Sequence, residues 1–401
     1  MKRLFYTATR LLVVALLALT TISCKEDYTL PSTQTACQSA PPVYPNHPKA
    51  VLYQQVLNKY IAQGLPGVAM LVRSPENGYW LGAAGKADIA SKTTMEGCHL
   101  QYIQSISKMY VATAVLLLAE QNVVALDNSI NHYLPATITA KITQSHQITV
   151  RQLLNHSSGI PDYASDATYI TDFLNNPLYP FTSDKYLGYV AGKRLKFAPG
   201  TDYSYSNTNY LLLTILIDQV TGASHAKYIT DHIFKPLNLH DTYYLNEPAY
   251  PQPTGLVSSY YDRRGNGYLE DISKIQNQQV ASMHGDDGII ASPYDVVSFT
   301  DAILKGNLLT VASKQQMRQF IATQKEPEKL QYGLGLHYFE TDYGNAYGHG
   351  GSGLGSSCFV AYFPDEDITI FVAVNMGVIM GGPLAKAAEQ LQNEVIETVL
   401  K

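Results

Sequence analysis

The stretch that most constrains this chain is Met109-Tyr110-Val111-Ala112-Thr113-Ala114-Val115-Leu116-Leu117-Leu118-Ala119, an uncharged apolar run opened by the polar tetrapeptide Ser105-Ile106-Ser107-Lys108. A helix apolar on all sides belongs inside a core, and 401 residues are enough to build one. A serine and a lysine three apart at the start of that helix share a face, so the Lys108 amine can reach the Ser105 hydroxyl, whereas Ser107 points elsewhere. The helix start also offers free backbone N–H groups and the positive end of the dipole, which help to hold an oxyanion. Burial of the lysine lowers its pKa towards that of a usable base. This is acyl-transfer chemistry. The plain alternative is a capping serine followed by a surface lysine, so partners further along the chain decide.

A composition of 46% hydrophobic and 15% charged residues fits a compact globular protein. The formal charge of −5 argues against nucleic acid as a partner. Lys2, Arg3 and Arg10 precede the apolar run Leu11 to Leu19, which is too short to span a bilayer and reads as the core of a signal peptide over residues 1–23. Thr21-Ile22-Ser23-Cys24 resembles a bacterial lipobox, with Thr21 where leucine is usual and Cys24 as the lipidated first residue. Lys25-Glu26-Asp27 resembles the acidic signal that sends some lipoproteins to the outer face of the outer membrane. Residues 24–45, rich in Pro, Ser, Thr and Gln, read as a tether. Membrane association is therefore expected through an N-terminal lipid anchor. Cys37, Cys98 and Cys358 have no spacing that suggests a disulfide framework or a metal site. An oxidising compartment would allow Cys37 to pair with Cys98, while Cys358, in an apolar run, reads as a packed thiol.

Apolar positions at helical spacing between His47 and Gln63 predict an amphipathic helix ending near Gly64. Gly67 to Arg73 and Tyr79 to Gly85 form a hairpin around Ser74-Pro75-Glu76-Asn77-Gly78. The middle is rich in helices and loops: helical segments are expected over Ile148–His156, Asn209–Val220, Ser224–Phe234 and Tyr294–Leu304, with weak periodicity over 245–280. Strands return at Tyr332–Tyr338, Asn345–His349, Ser357–Phe363 and Ile368–Asn375, and a last helix runs from Pro383 to Leu400. Strands at both ends with helices between them imply an α+β fold. Its antiparallel sheet is built from the N- and C-terminal segments and flanked by helices, with an inserted, mainly helical lobe. The folded domain is expected over 46–401, the sheet lobe at about 46–100 and 325–401 and the helical lobe at about 101–324.

Two further stretches carry chemistry. Tyr205 and Asn207 in Tyr203-Ser204-Tyr205-Ser206-Asn207 stand just before a helix; a tyrosine of depressed pKa beside Lys108 could relay a proton, and the asparagine could hold a substrate amide. In Gly348-His349-Gly350-Gly351-Ser352, missing side chains at a strand boundary let a substrate pair with the backbone. The N–H groups of Ser105 and Ser352 would form the oxyanion hole. The succession Ser105-x-x-Lys108, Tyr205-x-Asn207, His349-x-Gly351 resembles the serine beta-lactamase and penicillin-binding family, in its branch of class C beta-lactamases, D-alanyl-D-alanine carboxypeptidases and esterases. Supporting matches are Leu153 to Pro161, Gly288 to Asp295, and Tyr332-Gly333-Leu334-Gly335. The resemblance implies Ser105 as nucleophile, Lys108 and Tyr205 sharing base and acid work, Asn207 positioning substrate, and His349 with Gly351 lining the pocket.

Class C beta-lactamases usually carry lysine where this chain has His349, so a partly cationic histidine implies weaker, pH-dependent carboxylate binding and demotes beta-lactam hydrolysis. Gly350-Gly351-Ser352-Gly353-Leu354 misses the nucleophile-elbow pattern at Leu354. Gly348 to Gly353 spells a dinucleotide fingerprint, but a strand follows it where a helix must. Gly285-Asp286-Asp287-Gly288 reads as a solvated turn and His156 as a structural histidine. No metal or other cofactor is expected. The expected function is a cell-envelope serine hydrolase acting on a small peptide or amide, of the D-alanyl-D-alanine carboxypeptidase or D-peptidase type. The alternatives are a carboxylesterase or weak beta-lactamase on the same scaffold, and a catalytically idle module that binds muropeptides or a partner.

Overall fold

A computed structural model of the chain describes residues 47–245, 253–323, 330–379 and 381–401. The leader, Cys24, Cys37 and the tether lie outside the described residues. Helix α1 (Ala50–Ala62) buries Tyr53, Val56, Leu57 and Tyr60, an i, i+3, i+4, i+7 stripe. Gly64 then takes φ +107°, which turns the chain into strand β1 (Gly67–Ser74). The hairpin partner β2 (Gly78–Asp88) sets Val68 opposite Ala84 and Val72 opposite Trp80, and the short β3 (Thr93–Thr94) follows it.

Six more strands come from the other end of the chain: β4 (Ile321–Ala322), β5 (Leu330–Tyr332), β6 (His337–Thr341), β7 (Gly344–Ser352), β8 (Ser357–Phe363) and β9 (Ile368–Val374). Among the described residues the nine strands make one antiparallel sheet in the order β3-β2-β1-β9-β8-β7-β6-β5-β4. Strands β1 and β9, from opposite ends of the chain, lie side by side with Val68 opposite Val374. The expected α+β sheet joined from both termini is therefore the fold.

Strands β1, β8 and β9 are apolar runs without alternation because helices cover both faces of the sheet. Along β9, Ile370, Val372 and Val374 enter one core with α1 and helix α5 (Pro383–Leu400), and Phe371 and Ala373 enter the other. That second core holds helix α2 (Ser107–Glu120), helix α3 (Asn207–Thr221) and helix α4 (Pro293–Leu304). Each fully buried aliphatic side chain contributes about 1.5–3 kcal/mol.

Three elements differ from expectation. The run Tyr332–Tyr338 is two strands, since Gly333 donates to the Leu336 carbonyl at 2.7 Å and Gly335 sits at φ +70°, turning β5 back along β6. A side chain at Gly335 would stand 2.4 Å from the Ala112 Cβ, so this turn is pressed against α2. Residues 273–282, in the segment of weak periodicity, form a helix. The expected helix Ser224–Phe234 is α-helical over His225–Ile229 and π-helical over Thr230–Phe234. Cys98 is disulfide-bonded, and Cys358 is a free, buried thiol.

Candidate active site

A strand pairing and a side-chain hydrogen bond set Ser105 in place. Gln101–Tyr102 pairs with Ile289–Ala291, Gln101 opposite Ala291, and the Ser356 hydroxyl donates to the Tyr102 carbonyl at 2.7 Å. Directly after them the chain makes a 3-10 turn, Gln104–Ile106, just ahead of α2, with Gln104 at φ +51°. Ser105 is therefore in the turn that feeds the helix, not in the helix itself. Strand β7 closes on this turn because Gly351 has no side chain: a Cβ there would lie 2.6 Å from the Ile103 carbonyl oxygen and 2.7 Å from Cys358 Sγ. Gly351 is thus a contact between sheet and turn, which is a different role from lining the pocket.

Lys108 is fully buried, and its Nζ donates to Ser105 Oγ at 3.0 Å and to the Asp286 carbonyl at 2.7 Å. Loss of hydration lowers its pKa to about 8, against the pull of Asp286, Asp287 and Asp162 in the other direction. The ammonium also lies 5.0 Å from the centre of the Tyr205 ring. Tyr205 departs from expectation. Burial raises its phenol pKa well above the ordinary value despite an opposing contribution from Ser105, so it is a neutral O–H rather than a phenolate. Ser105 is the side-chain hydrogen-bonding neighbour that acts on this hydroxyl.

Behind the pair stands a nest of rings. His156, at φ +62° and buried, packs against Tyr205 with centroids 4.2 Å apart, and its Nδ1 accepts from the Ser206 N–H at 3.3 Å. It is a structural histidine, as expected, and it fixes the loop that carries Tyr205. His349 does not take the expected role. It is 1% exposed, and burial together with His337 and Lys108 holds its pKa well below the usual imidazole value. Its Nδ1 lies 2.6 Å from the Gly350 carbonyl, and its Nε2 lies 3.0 Å from the Tyr332 hydroxyl. A neutral ring donating from Nδ1 and accepting at Nε2 satisfies both contacts. Such a ring cannot grip a carboxylate as a cation.

Asn207 opens α3, where its backbone N–H and its side-chain Nδ2 donate to the two Asp162 oxygens at 3.0 and 3.3 Å. Asn207, Ser105 and Ser352 line one cavity of about 620 Å³. A larger groove of about 1260 Å³ between α1 and α5 shares no residue with it and holds none of the expected site residues. The sequence reading missed Asp286 and Asp287, which also line the cavity next to Ser105. The expected solvated turn at Gly285–Gly288 is buried, with each aspartate 4% exposed. It is drawn in because Ile289–Ala291, directly after it, pairs with the strand ahead of Ser105, and because Gly285 donates to the Tyr244 hydroxyl at 3.0 Å. Asp286 accepts from the Tyr163 hydroxyl at 2.5 Å. Burial raises the Asp286 pKa to about 6 and the Asp287 pKa to about 7. The available signal was Gly288-Ile289-Ile290-Ala291, whose apolar strand carries the acids inward.

A desolvated amine on a serine hydroxyl, in a turn against a sheet and open to a cavity, defines a serine-hydrolase type of scaffold. The chain belongs to the beta-lactamase family, whose profile matches residues 53–392. Among solved structures it is similar to a D-stereospecific amidohydrolase from Streptomyces sp., with 28% identity and a TM-score of 0.73 over 82% of this chain and 95% of that one. A D-amino acid amidase from Ochrobactrum anthropi SV3 shares the fold, with 23% identity and a TM-score of 0.74 over 86% of this chain and 97% of that one. Penicillin-binding protein 4* of Bacillus subtilis is 25% identical over 304 residues, which are 73% of this chain and 64% of that protein. Protein flp of Staphylococcus aureus is 30% identical over 178 residues, 44% of this chain and 34% of that protein. The chain thus spans less than two thirds of the length of these two curated relatives.

Proposed function

We propose that the protein is a serine hydrolase that forms an acyl-enzyme on Ser105 with peptide or amide substrates of the cell envelope, of the D-peptidase type. The observation that carries this reading is the 3.0 Å contact between Ser105 Oγ and a Lys108 amine whose pKa burial brings down to about 8. A neutral Lys108 takes the hydroxyl proton as Oγ attacks the substrate carbonyl. The backbone N–H groups of Ser105 and Ser352 receive the oxyanion. The neutral Tyr205 phenol hands a proton to the leaving amine and recovers one from Lys108. Asn207 holds the substrate amide. Water then attacks the Ser105 ester and releases the acid, restoring the hydroxyl. The D-alanyl-D-alanine carboxypeptidase form of this reaction needs a cation for the terminal carboxylate. His349, buried and neutral, does not supply one, which favours amide and peptide substrates recognised at another group. The leader and Cys24 support export and lipid anchoring to the cell envelope.

An esterase is the second reading, favoured by the apolar wall of the cavity, where Ile170, Phe173 and Leu174 stand near Ser105. Incubation with a labelled penicillin and with a fluorophosphonate, followed by intact mass and peptide mapping, tests both. Fluorophosphonate labelling of Ser105 that is lost in Ser105→Ala is expected. Labelling by both probes supports a penicillin-recognising enzyme; with labelling by fluorophosphonate alone, turnover of amides supports the amide reading and turnover of esters only supports the esterase. No adduct with either would leave an idle binding module.

A further inference from the structure

The rim of the Ser105 cavity is apolar and faces water. The helix Ala167–Asn175 buries Tyr169 and leaves Ile170 and Leu174, four residues apart, exposed beside the cavity they line. Pro177 continues that rim, with Leu178 and Tyr179 directly after it. A separate element adds Ile379, just beyond the strand Met376–Gly377. Ile170, Leu174, Leu178, Tyr179 and Ile379 are between 41% and 64% exposed. Single exposed apolar side chains are ordinary, but a set drawn from two elements round one cavity marks an interaction surface.

Resting on the export and anchoring part of the proposed function, we infer that this apolar rim docks on a lipid bilayer and opens the Ser105 cavity towards it. The expected anchor is Cys24, and residues 25–46 lie between it and the start of the folded domain. Fully extended, such a stretch reaches at most about 70–80 Å, more than the width of about 50 Å for a domain of this length. Helix α1, where that stretch ends, packs in the core away from Ser105, yet a tether of this reach lets any side of the domain meet the membrane. The surface then decides which side does. A formal charge of −5 gives no pull towards anionic headgroups, so the contact is apolar burial. Asp172 on the rim helix is held by Lys185 at 2.9 Å and by the Tyr189 hydroxyl at 2.7 Å, and Arg263 on the cavity wall by Glu270 at 2.8 Å, so neither is a lone charge at the contact. Acyl donors carried in the bilayer then enter the cavity from the lipid side.

The test uses the full chain, expressed with its leader and reconstituted with phosphatidylcholine vesicles whose acyl chains are either plain or brominated, the bromine quenching tryptophan inside the bilayer. The chain's single tryptophan, Trp80, is buried in the core with α1 and supplies a constant background. Leu178→Trp sets a reporter on the rim, and Val51→Trp sets one on the exposed apolar pair Val51 and Leu52 of α1. Emission from Leu178→Trp is expected to shift to the blue on plain vesicles and to be lost on brominated ones, while Val51→Trp shows neither change. The pattern is expected to persist at about 1 M salt, which screens charges but not apolar contact. Quenching of Val51→Trp alone, equal quenching of both, or quenching of neither in vesicle-bound chain would overturn the proposal. A chain that stays off the vesicles would overturn the anchoring and this proposal together, while fluorophosphonate labelling of Ser105 judges the acyl-enzyme reading separately. Ile379→Trp takes the place of Leu178→Trp if that variant does not fold.

Discussion

In the proposed mechanism Lys108 meets two opposed demands, since there it must be neutral to take a proton from Ser105 yet three aspartates around it favour its charge. Burial wins, and the sign of the outcome is definite: a folded-state pKa of about 8, below the ordinary 10.5, means that the neutral amine accumulates as pH rises through 8. For an uncharged amide or ester substrate, kcat/KM is expected to climb about tenfold per pH unit below that point and to level above it. Lys108→Arg, which stays charged throughout, is expected to lower kcat/KM by about 10²–10⁴ and to remove the climb; a stopped-rate assay from acid to alkaline pH reads both. His349 gives the opposite test. Its ring is neutral in the fold, and the nearby His337 is lowered to about 3, so their imidazole resonances are expected to stay flat from pH 8 to 5, as followed by NMR with His349→Gln for assignment. A titration near the ordinary 6.5 would restore the partly cationic histidine that the sequence suggested. The pairing of Ser105 with Lys108 was legible because three-residue spacing at a helix start fixes geometry locally. The burial of His349, the raised Tyr205 pKa and the inward turn of Asp286 and Asp287 were not, because each depends on neighbours far away along the chain.

At the scale of elements, the site is an agreement between a turn and a strand. The turn Gln104–Ile106 presents Ser105, and β7 reaches it only where glycine removes the side chain. Gly351→Ala is therefore expected to push β7 off the turn, costing about 1–3 kcal/mol in chemical denaturation. It is also expected to slow fluorophosphonate labelling of Ser105, whereas Gly350→Ala, with only one atom of Cys358 as far off as 4.0 Å, is expected to do neither. Strands β1, β8 and β9 could be read from the chain as unbroken apolar runs, and helix α5 from the helical spacing of its buried face. The helix Ser273–Ser282 could not: its sequence Ser-Lys-Ile-Gln-Asn-Gln-Gln-Val-Ala-Ser has few apolar positions to mark a face. The turn between β5 and β6 was hidden for the reverse reason, since Gly333-Leu334-Gly335-Leu336 looks apolar enough to continue a strand. Only the positive φ of Gly335 and its closeness to Ala112 reveal the bend.

In the whole molecule the sheet separates two jobs. One face meets α2, α3 and α4 and carries the turn with Ser105; the other meets α1 and α5, where Leu391 and Val395 are fully buried. Both faces stabilise the same sheet, but of the two only the first carries Ser105. The first and last helices of the folded domain are also tied together, because the Lys49 amine donates to the Thr398 and Val399 carbonyls at the end of α5, and the Tyr60 hydroxyl donates to Glu394 at 2.7 Å. Leu391→Ala removes packing from the second face alone, and a cavity at such a site costs about 2–5 kcal/mol. The expected result is a lower denaturant midpoint with the rate of Ser105 labelling kept, measured under conditions where the variant is fully folded. If labelling slowed in proportion to the lost stability, the two faces would be coupled through the sheet. The geometry of the Ser105 turn would then depend on how tightly the terminal helices close the molecule.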